Sequence, residues 1–160
     1  MISEGLRRLL IEQVGHELGA HQKYTGISIY FARQSLHRWA KLFRDQAIEE
    51  AGHAERIVTF LVDNEVEFDL PAVKAGSTRY PSAGAAVQAA LDSELAVTDQ
   101  FNVMATAARD AADHRSLQFL QWFIDEQVEE ERTMRGLLDL IGSGINLFQA
   151  QQLLPESDSG

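Results

Sequence analysis

Four times along this chain a stripe of apolar side chains at helical spacing is interrupted near its middle by an acid or an amide. The first stripe reads Leu6, Leu10, Gln13/Val14, then Glu17, then Ala20, Tyr24, Ile27 and Phe31. The second has Trp39 and Phe43, then Gln46, Glu50 and His53, then Ile57 and Leu61. The third has Val87 and Leu91, then Glu94, then Val97, Phe101, Met104 and Ala108; the fourth has Leu120 and Phe123, then Gln127 and Glu130, then Met134, Leu137 and Ile141. Residues three and four apart share a helix face, so each stripe is the dry side of a long amphipathic helix that must pack on others. The interruptions lie on that dry side. A charge buried there without a partner is expensive, so each needs one from a neighbouring helix.

The spacings supply those partners. Glu17 and Glu50 are 33 positions apart, as are Glu94 and Gln127. Their first midpoint falls at residues 33–34, where a turn is expected, so an antiparallel hairpin sets Glu17 and Glu50 at one height. An offset of 77 positions relates Glu17 to Glu94, Tyr24 to Phe101, Glu49 to Glu126, Glu50 to Gln127 and His53 to Glu130. The two halves therefore read as two copies of one helical hairpin related by a pseudo-twofold axis. Folded about it, all four polar sets meet at one level in the core.

The expected fold is all-α: a four-helix bundle in one domain over residues 1–160, with helices at about 4–33, 36–63, 83–111 and 113–141. A short fifth helix is expected at 146–154, followed by a polar tail at 155–160. Ser3, Ser35 and Asp113 are the expected N-caps, and Gly142-Ser143-Gly144 stops the fourth helix. Between residues 65 and 81 the periodicity fails and Pro71, Gly76 and Pro81 appear. A helix of about 28 residues is about 42 Å long, whereas roughly 17 extended residues reach up to about 56–60 Å. This connection can run the length of the bundle and make the second and third helices parallel. Gly15, Gly19 and Gly26 lie off the first stripe, each costing about 1 kcal/mol against Ala in a helix. They fit either a flat face approached by another subunit or simple tolerance of glycine on an exposed face.

Composition excludes several chemistries. With no cysteine there are no disulfides, iron–sulfur clusters, thiolate zinc sites or thiol nucleophiles. A formal net charge of −10 opposes binding to nucleic acid, whose phosphates demand Lys and Arg. No apolar run approaches a membrane span and no signal-peptide pattern opens the chain, so a cytoplasmic protein without a membrane partner is expected. What remains is the oxygen-rich set Glu17, Glu50, His53, Glu94 and Glu130. Four buried carboxylates repel one another unless cations or protons intervene. Their negative charges balance two divalent ions, and oxygen donors with one imidazole suit iron or manganese, with zinc able to take the same place.

The run Gln46-Ala47-Ile48-Glu49-Glu50-Ala51-Gly52-His53-Ala54, the segment Leu91-Asp92-Ser93-Glu94 and the run Phe119-Leu120-Gln121-Trp122-Phe123-Ile124-Asp125-Glu126-Gln127 resemble the bacterial non-haem ferritins. The similarity extends along nearly the whole chain, including the long crossover and the short fifth helix. It implies a ferritin-like bundle that oxidises Fe(II) with oxygen or hydrogen peroxide and stores the product in a hollow homo-oligomeric cage of 24 subunits. Carried over, Glu17, Glu50 and His53 would hold a first iron, and Glu50 would bridge to a second held by Glu94 and Glu130. Gln127 would stand beside the second iron as a hydrogen-bonding neighbour. Glu49, Glu126 and Glu129 match a third iron site of bacterial ferritins and equally fit a solvated acidic face. Tyr24 and Trp122 occupy central positions in the family and fit either packing or redox roles, Tyr24 having a hydroxyl to bond a ligand carboxylate.

The resemblance also implies threefold pores near Asp110, Asp113 and Gln118, and fourfold pores lined by Ile145 and Phe148. Asp113 is equally explained as a cap. His16, His21, His37 and His114 lie off the stripes and read as surface residues. Haem-binding bacterioferritins place an axial Met where this chain has Ala51, and a second Glu-x-x-His where it has Gln127 and Glu130, so no haem is expected. A di-iron oxidase or peroxidase of the same superfamily without a storage role is the alternative. The second half offers no imidazole to its metal, which makes the second ion the weaker-bound of the two.

Overall fold

The four stripes become four long helices in the computed structural model, which describes residues 1–156: α1 (Glu4–Ala32), α2 (His37–Asp63), α3 (Ala83–Asp110) and α4 (His114–Gly142). Among the described residues there is no strand, and no helix is long and apolar enough to cross a membrane. Helix α1 packs along α2, α3 along α4, and α1 against α3, giving the expected bundle of two hairpins. The fifth element is shorter than the expected 146–154: one turn, α5 (Leu147–Ala150), tightens into a 3-10 turn over Gln151–Leu153. Of the expected tail, residues 157–160 lie outside the described residues.

Side chains close most helix starts. Ser3 accepts from Leu6 N, Ser82 from Ala85 N, Asp113 from Ser116 N, and Asn146 from Phe148 N and Gln149 N. Each such cap contributes about 1 kcal/mol. Ser35 does not cap α2. It sits at φ 60° as the left-handed residue that ends α1, and Leu36, with no side-chain bond to give, takes the cap position. The turn is closed by Leu36 N donating to Phe31 O at 3.1 Å. Seventy-seven positions on, Ala112 stands at φ 54° and Asp113 N donates to Ala108 O at 2.8 Å, so both copies of the hairpin turn in the same way. The acceptor that α2 lacks locally comes from far along the chain: Gln151 Oε1 accepts from Arg38 N at 2.9 Å. Trp39 Nε1 donates to Leu147 O at 3.0 Å, so α5 is tied to the start of α2 at two points.

The core is divided. One apolar half contains Tyr24, Ile27, Phe31, Trp39, Phe43, Val87, Leu91, Met134 and Leu137, closed at its end by Ala150 and Leu154. The other contains Leu6, Leu10, Val14, Ile57, Leu61, Val97, Phe101, Met104, Leu120 and Phe123. On every helix polar interruptions lie buried between these two sets: Glu17, Glu50 and His53, Glu94, Gln127 and Glu130; Gln46, also on the second stripe, is only half-buried. The bundle is thus two dry half-cores with a polar layer between them.

The connection from Asn64 to Ser82 runs outside α1 without regular structure. Its Pro71 lies over Gly15 and its Ser77 over Gly26, so the strap advances along α1 in the same direction and returns the chain to the end where α2 began. Helices α2 and α3 are therefore parallel. Tyr80 packs edge-on to Tyr30 at 5.7 Å and helps hold the strap down. The glycines gain a cause in this way, and it is not a second subunit at Gly15 and Gly26. A methyl group at Gly26 would overlap the Ser77 carbonyl oxygen, and one at Gly76 the Gln22 carbonyl oxygen, whereas nothing lies within 4 Å of a methyl at Gly19.

Two substitutions on one helix separate these cases. Gly26→Ala gains helix propensity but must push backbone aside, and should lower stability by about 1–3 kcal/mol. Gly19→Ala meets no such obstacle and should raise stability by about 0.5–1 kcal/mol. Thermal melts of the two variants check this, and shifts of the same sign would contradict the strap's role.

Candidate metal centre

Glu17 comes from α1, Glu50 and His53 from α2, Glu94 from α3, and Gln127 and Glu130 from α4, and none is more than 6 % exposed. Their ligand atoms fall into overlapping groups within 4.8 Å: Glu17 with Glu50 and His53, and Glu50 with Glu94 and Glu130. Glu50 belongs to both. His53 Nδ1 lies 3.1 Å from Glu50 Oε2 and 3.7 Å from Glu17 Oε2. Three carboxylate oxygens in this layer, Glu17 Oε2, Glu50 Oε1 and Glu130 Oε2, are buried with no hydrogen-bond partner. Leaving such atoms unsatisfied costs roughly 1–3 kcal/mol apiece, more when charged. Cations between the two groups satisfy all three, and the donor set of oxygens with one imidazole fits hard or borderline divalent ions.

The remaining oxygens are held by neutral donors. Gln13 Nε2 donates to Glu17 Oε1 at 2.9 Å. The Tyr24 hydroxyl donates to the Glu94 carboxylate and also lies 3.3 Å from Ala90 O. Gln127 Nε2 is shared among Glu94 Oε2 at 3.1 Å, Glu94 O at 3.1 Å and Thr98 Oγ1 at 3.2 Å. Tyr24 and Gln127 stand where expected, whereas Gln13 was placed on the first stripe without a role and Thr98 was not singled out. Gln13 had a signal: it precedes Glu17 by four positions and so shares its face. Trp122 sets its ring edge-on to His53 at 5.5 Å, and the Arg56 guanidinium lies 3.9 Å from its ring centre.

Beyond His53 and Glu130, between α2 and α4, opens a cavity of about 550 Å³ whose walls include Glu49, Trp122, Glu126 and Glu129. Glu126 brings its carboxylate within 4.8 Å of His53 and Glu130 ligand atoms; Glu49 and Glu129 are exposed on the walls and join no such group. The pore candidates divide similarly. Asp113 caps α4, accepting from both Ser116 N and Ser116 Oγ, and Asp110 accepts from the Arg109 guanidinium. Gln118 and Phe148 are exposed and Ile145 is half-buried. His16, His37 and His114 are exposed; His21 is half-buried and its Nδ1 lies 2.7 Å from Ala47 O, joining α1 to α2.

Protonation in this layer is far from ordinary. Burial, with the charges of Glu94 and Glu49, pushes Glu130 up from 4.5 to about 9. Burial and the neighbouring carboxylates also raise Glu50, and burial raises Glu94 despite its bonds to Tyr24 and Gln127. Burial works to raise Glu17 as well, but the nearby His53 and Glu50 and the hydrogen bond from Gln13 outweigh it and hold Glu17 below its usual value. For His53, burial works downward and is overcome by Glu17, Glu130 and Glu94, which raise it. At the wall, partial burial with Glu126 and Asp45 raises Glu49 against the pull of Glu130 and His53.

The sign of the pH dependence follows. The folded, metal-free chain keeps protons on Glu50, Glu94 and Glu130 that the unfolded chain has released above about 4.5. Each raised carboxyl therefore removes up to about 1.4 kcal/mol of stability per pH unit until the pH reaches its folded value. The raised His53 acts in the same direction above its ordinary 6.5, and the lowered Glu17 is silent near neutrality. Metal-free protein should melt at a lower temperature at pH 8 than at pH 6, and a divalent ion that replaces the protons should narrow the gap. Equal melting temperatures would contradict the buried-acid layer.

A family profile described as "Ferritin-like domain" matches residues 7–143. The chain is 37 % identical over 147 residues to a ferritin BfrB of Mycolicibacterium smegmatis, covering 91 % of this chain and 81 % of that one. It is 36 % identical over the same length to a ferritin BfrB of Mycobacterium tuberculosis, with the same coverage. To a bacterial non-heme ferritin of Staphylococcus aureus it is 33 % identical over 131 residues, covering 82 % of this chain and 79 % of that one. The bundle with its crossover, the family profile and these relatives agree, and the chain belongs to the ferritin family.

Proposed function

We propose that this chain, acting as a single domain, is an iron-storing ferroxidase of the cytoplasm that oxidises Fe(II) at a two-metal centre inside each bundle. It deposits ferric mineral within a hollow cage of 24 copies. One observation carries the reading: two buried ligand groups share Glu50, and three of their carboxylate oxygens are buried without a hydrogen-bond partner. Glu17, Glu50 and His53 hold one Fe(II); Glu50, Glu94 and Glu130 hold the other. Gln127 and Tyr24 keep the Glu94 carboxylate in place. Glu126, with Glu49 and Glu129 on the cavity wall, offers a third iron a place between the centre and the opening.

Iron here is the substrate. Two Fe(II) ions each give one electron to dioxygen, which leaves as hydrogen peroxide, or to hydrogen peroxide, which leaves as water. Hydrolysis of the Fe(III) to ferric oxyhydroxide then releases two protons for each iron, counted over the whole reaction. The protein places the two ions side by side so that both electrons are delivered together. His53 gives the first ion a nitrogen donor that the second lacks, so the pair is held unequally, as suits a site that must export its product.

Sizing the purified protein and then adding Fe(II) in air tests the whole reading: a large, uniform particle that oxidises and retains many irons is expected. A small oligomer that oxidises iron but retains none would favour an oxidase without storage. Glu94→Ala and Glu130→Ala should each slow fast oxidation on the order of 100-fold or more while leaving one tight metal site. Stopped-flow oxidation beside a metal titration measures both, and oxidation at full speed in these variants would refute the second-ion assignment.

A further inference from the structure

Glu17 differs from its counterpart Glu94 in how its carboxylate is held. Seventy-seven positions after Gln13 stands Ala90, which contributes only its backbone carbonyl, and Glu94 is restrained instead from other helices by Tyr24 and Gln127. The amide that restrains Glu17 comes from one turn earlier on its own helix. Gln13 is 1 % exposed, and its Nε2 donates to Oε1 of Glu17 at 2.9 Å. The other oxygen, Oε2, is buried without a hydrogen-bond partner and is the one that faces His53. On its far side Gln13 borders a small cavity of about 210 Å³ in the seam between α1 and α3, shared with Glu12, His16, Asp99 and Gln100. This is the face opposite the acidic cavity between α2 and α4, so Gln13 also forms part of the wall between Glu17 and the outer seam.

We propose that Gln13 is a positioning residue of the metal centre: by occupying Oε1 it turns Oε2 inward and confines Glu17 to a single coordinating oxygen. The inference rests on the two-metal reading above. A carboxylate free at both oxygens can close on an ion through both, filling a coordination position and changing the ion's geometry. One oxygen committed to an amide leaves that position open for water or oxidant. The bond also fixes the side-chain torsions of Glu17 before any ion arrives, which lowers the ordering needed on binding. Partners of this kind behind metal ligands typically change affinity by about 10–100-fold when removed.

Cobalt(II) is a suitable probe, because it is inert to air in such sites and its visible absorption weakens as its coordination number rises. Metal-free, full-length protein would be titrated with Co(II) alone, comparing wild type with Gln13→Leu and with Gln13→Met, which fills similar volume without a donor. Gln100→Leu serves as a packing control, since it lies in the same seam and its Oε1 is buried without a partner. The expected result is a tighter site weakened about 10–100-fold with reduced absorption per bound Co(II) in both Gln13 variants. The weaker site, and both sites of Gln100→Leu, should keep wild-type affinity. Wild-type affinities and spectra in a folded Gln13 variant would overturn the proposal. So would equal weakening of both sites, or the same loss in Gln100→Leu, because each marks a general disturbance of the bundle. Wild-type protein that binds no Co(II) would overturn the metal-centre reading itself, which is a different failure from two intact sites that ignore Gln13.

Discussion

Mutual repulsion among carboxylates buried at one level of the bundle is the constraint on which the other features depend. Two unit charges 4 Å apart interact by about 4 kcal/mol at an effective dielectric near 20, and this layer gathers Glu17, Glu50, Glu94 and Glu130. The chain supplies donors to part of the set, through Gln13, Tyr24, Gln127 and His53, but these leave Glu17 Oε2, Glu50 Oε1 and Glu130 Oε2 without partners. A layer serving stability alone would do as well with apolar residues of similar size. Positive charge entering the layer would relieve that repulsion, and without it protons serve in its place.

The two half-cores are what make that constraint severe. Phe31 stacks on Trp39 at 5.2 Å and on Phe43 at 5.7 Å on one side of the layer, and Phe101 stacks on Phe123 at 4.6 Å on the other. Dense aromatic packing above and below keeps water out, which strengthens every electrostatic interaction between. It leaves the cavity beside Trp122 and Glu126 as the wide approach to His53 and Glu130. Desolvation on two sides and an acidic opening on a third are opposite demands on one layer. The division of labour between α1–α3, which carry the strap, and α2–α4, which carry the cavity, meets both.

Much of this was legible because helical periodicity is a strong signal over long segments. The stripes, the 77-residue repeat and the shared height of Glu17 and Glu50 are arithmetic on residue numbers, and the helices begin or end within a residue or so of the expected bounds. Misreadings arose where backbone geometry overrides residue type. Ser35 is a good N-cap by chemistry, but the turn needs a left-handed residue at that position, and the turn comes first. For Gly15 and Gly26 the two readings, a subunit contact or tolerance on an exposed face, both missed the cause, because sequence cannot say which segment approaches; the strap residues that do, Pro71 and Ser77, are more than fifty positions away. Glu49 on α2 and Glu126 and Glu129 on α4 each sit next to a residue of the polar layer in sequence, yet of the three only Glu126 brings its carboxylate into a ligand group. The fold class, the shared level of the central residues and the places of Tyr24 and Gln127 beside them were thus accessible, and the contacts of the strap and of Thr98 were not.

The fifth element shows why a four-residue helix is worth keeping. Alone it is far too short to be stable. It persists because α2 begins without a cap of its own, and Gln151 supplies the missing acceptor to Arg38 N while Leu147 O receives the Trp39 indole proton. Trp39 in turn stacks on Phe31, Phe31 on Phe43, and Phe43 packs edge-on to Tyr24, whose hydroxyl bonds the Glu94 carboxylate. With Ala150 and Leu154 closing the end of that half-core, the dryness around Tyr24 depends on a segment some 125 positions later. The helix start that the hairpin turn leaves uncapped is the place where residues 147–154 seal the core beneath the polar layer.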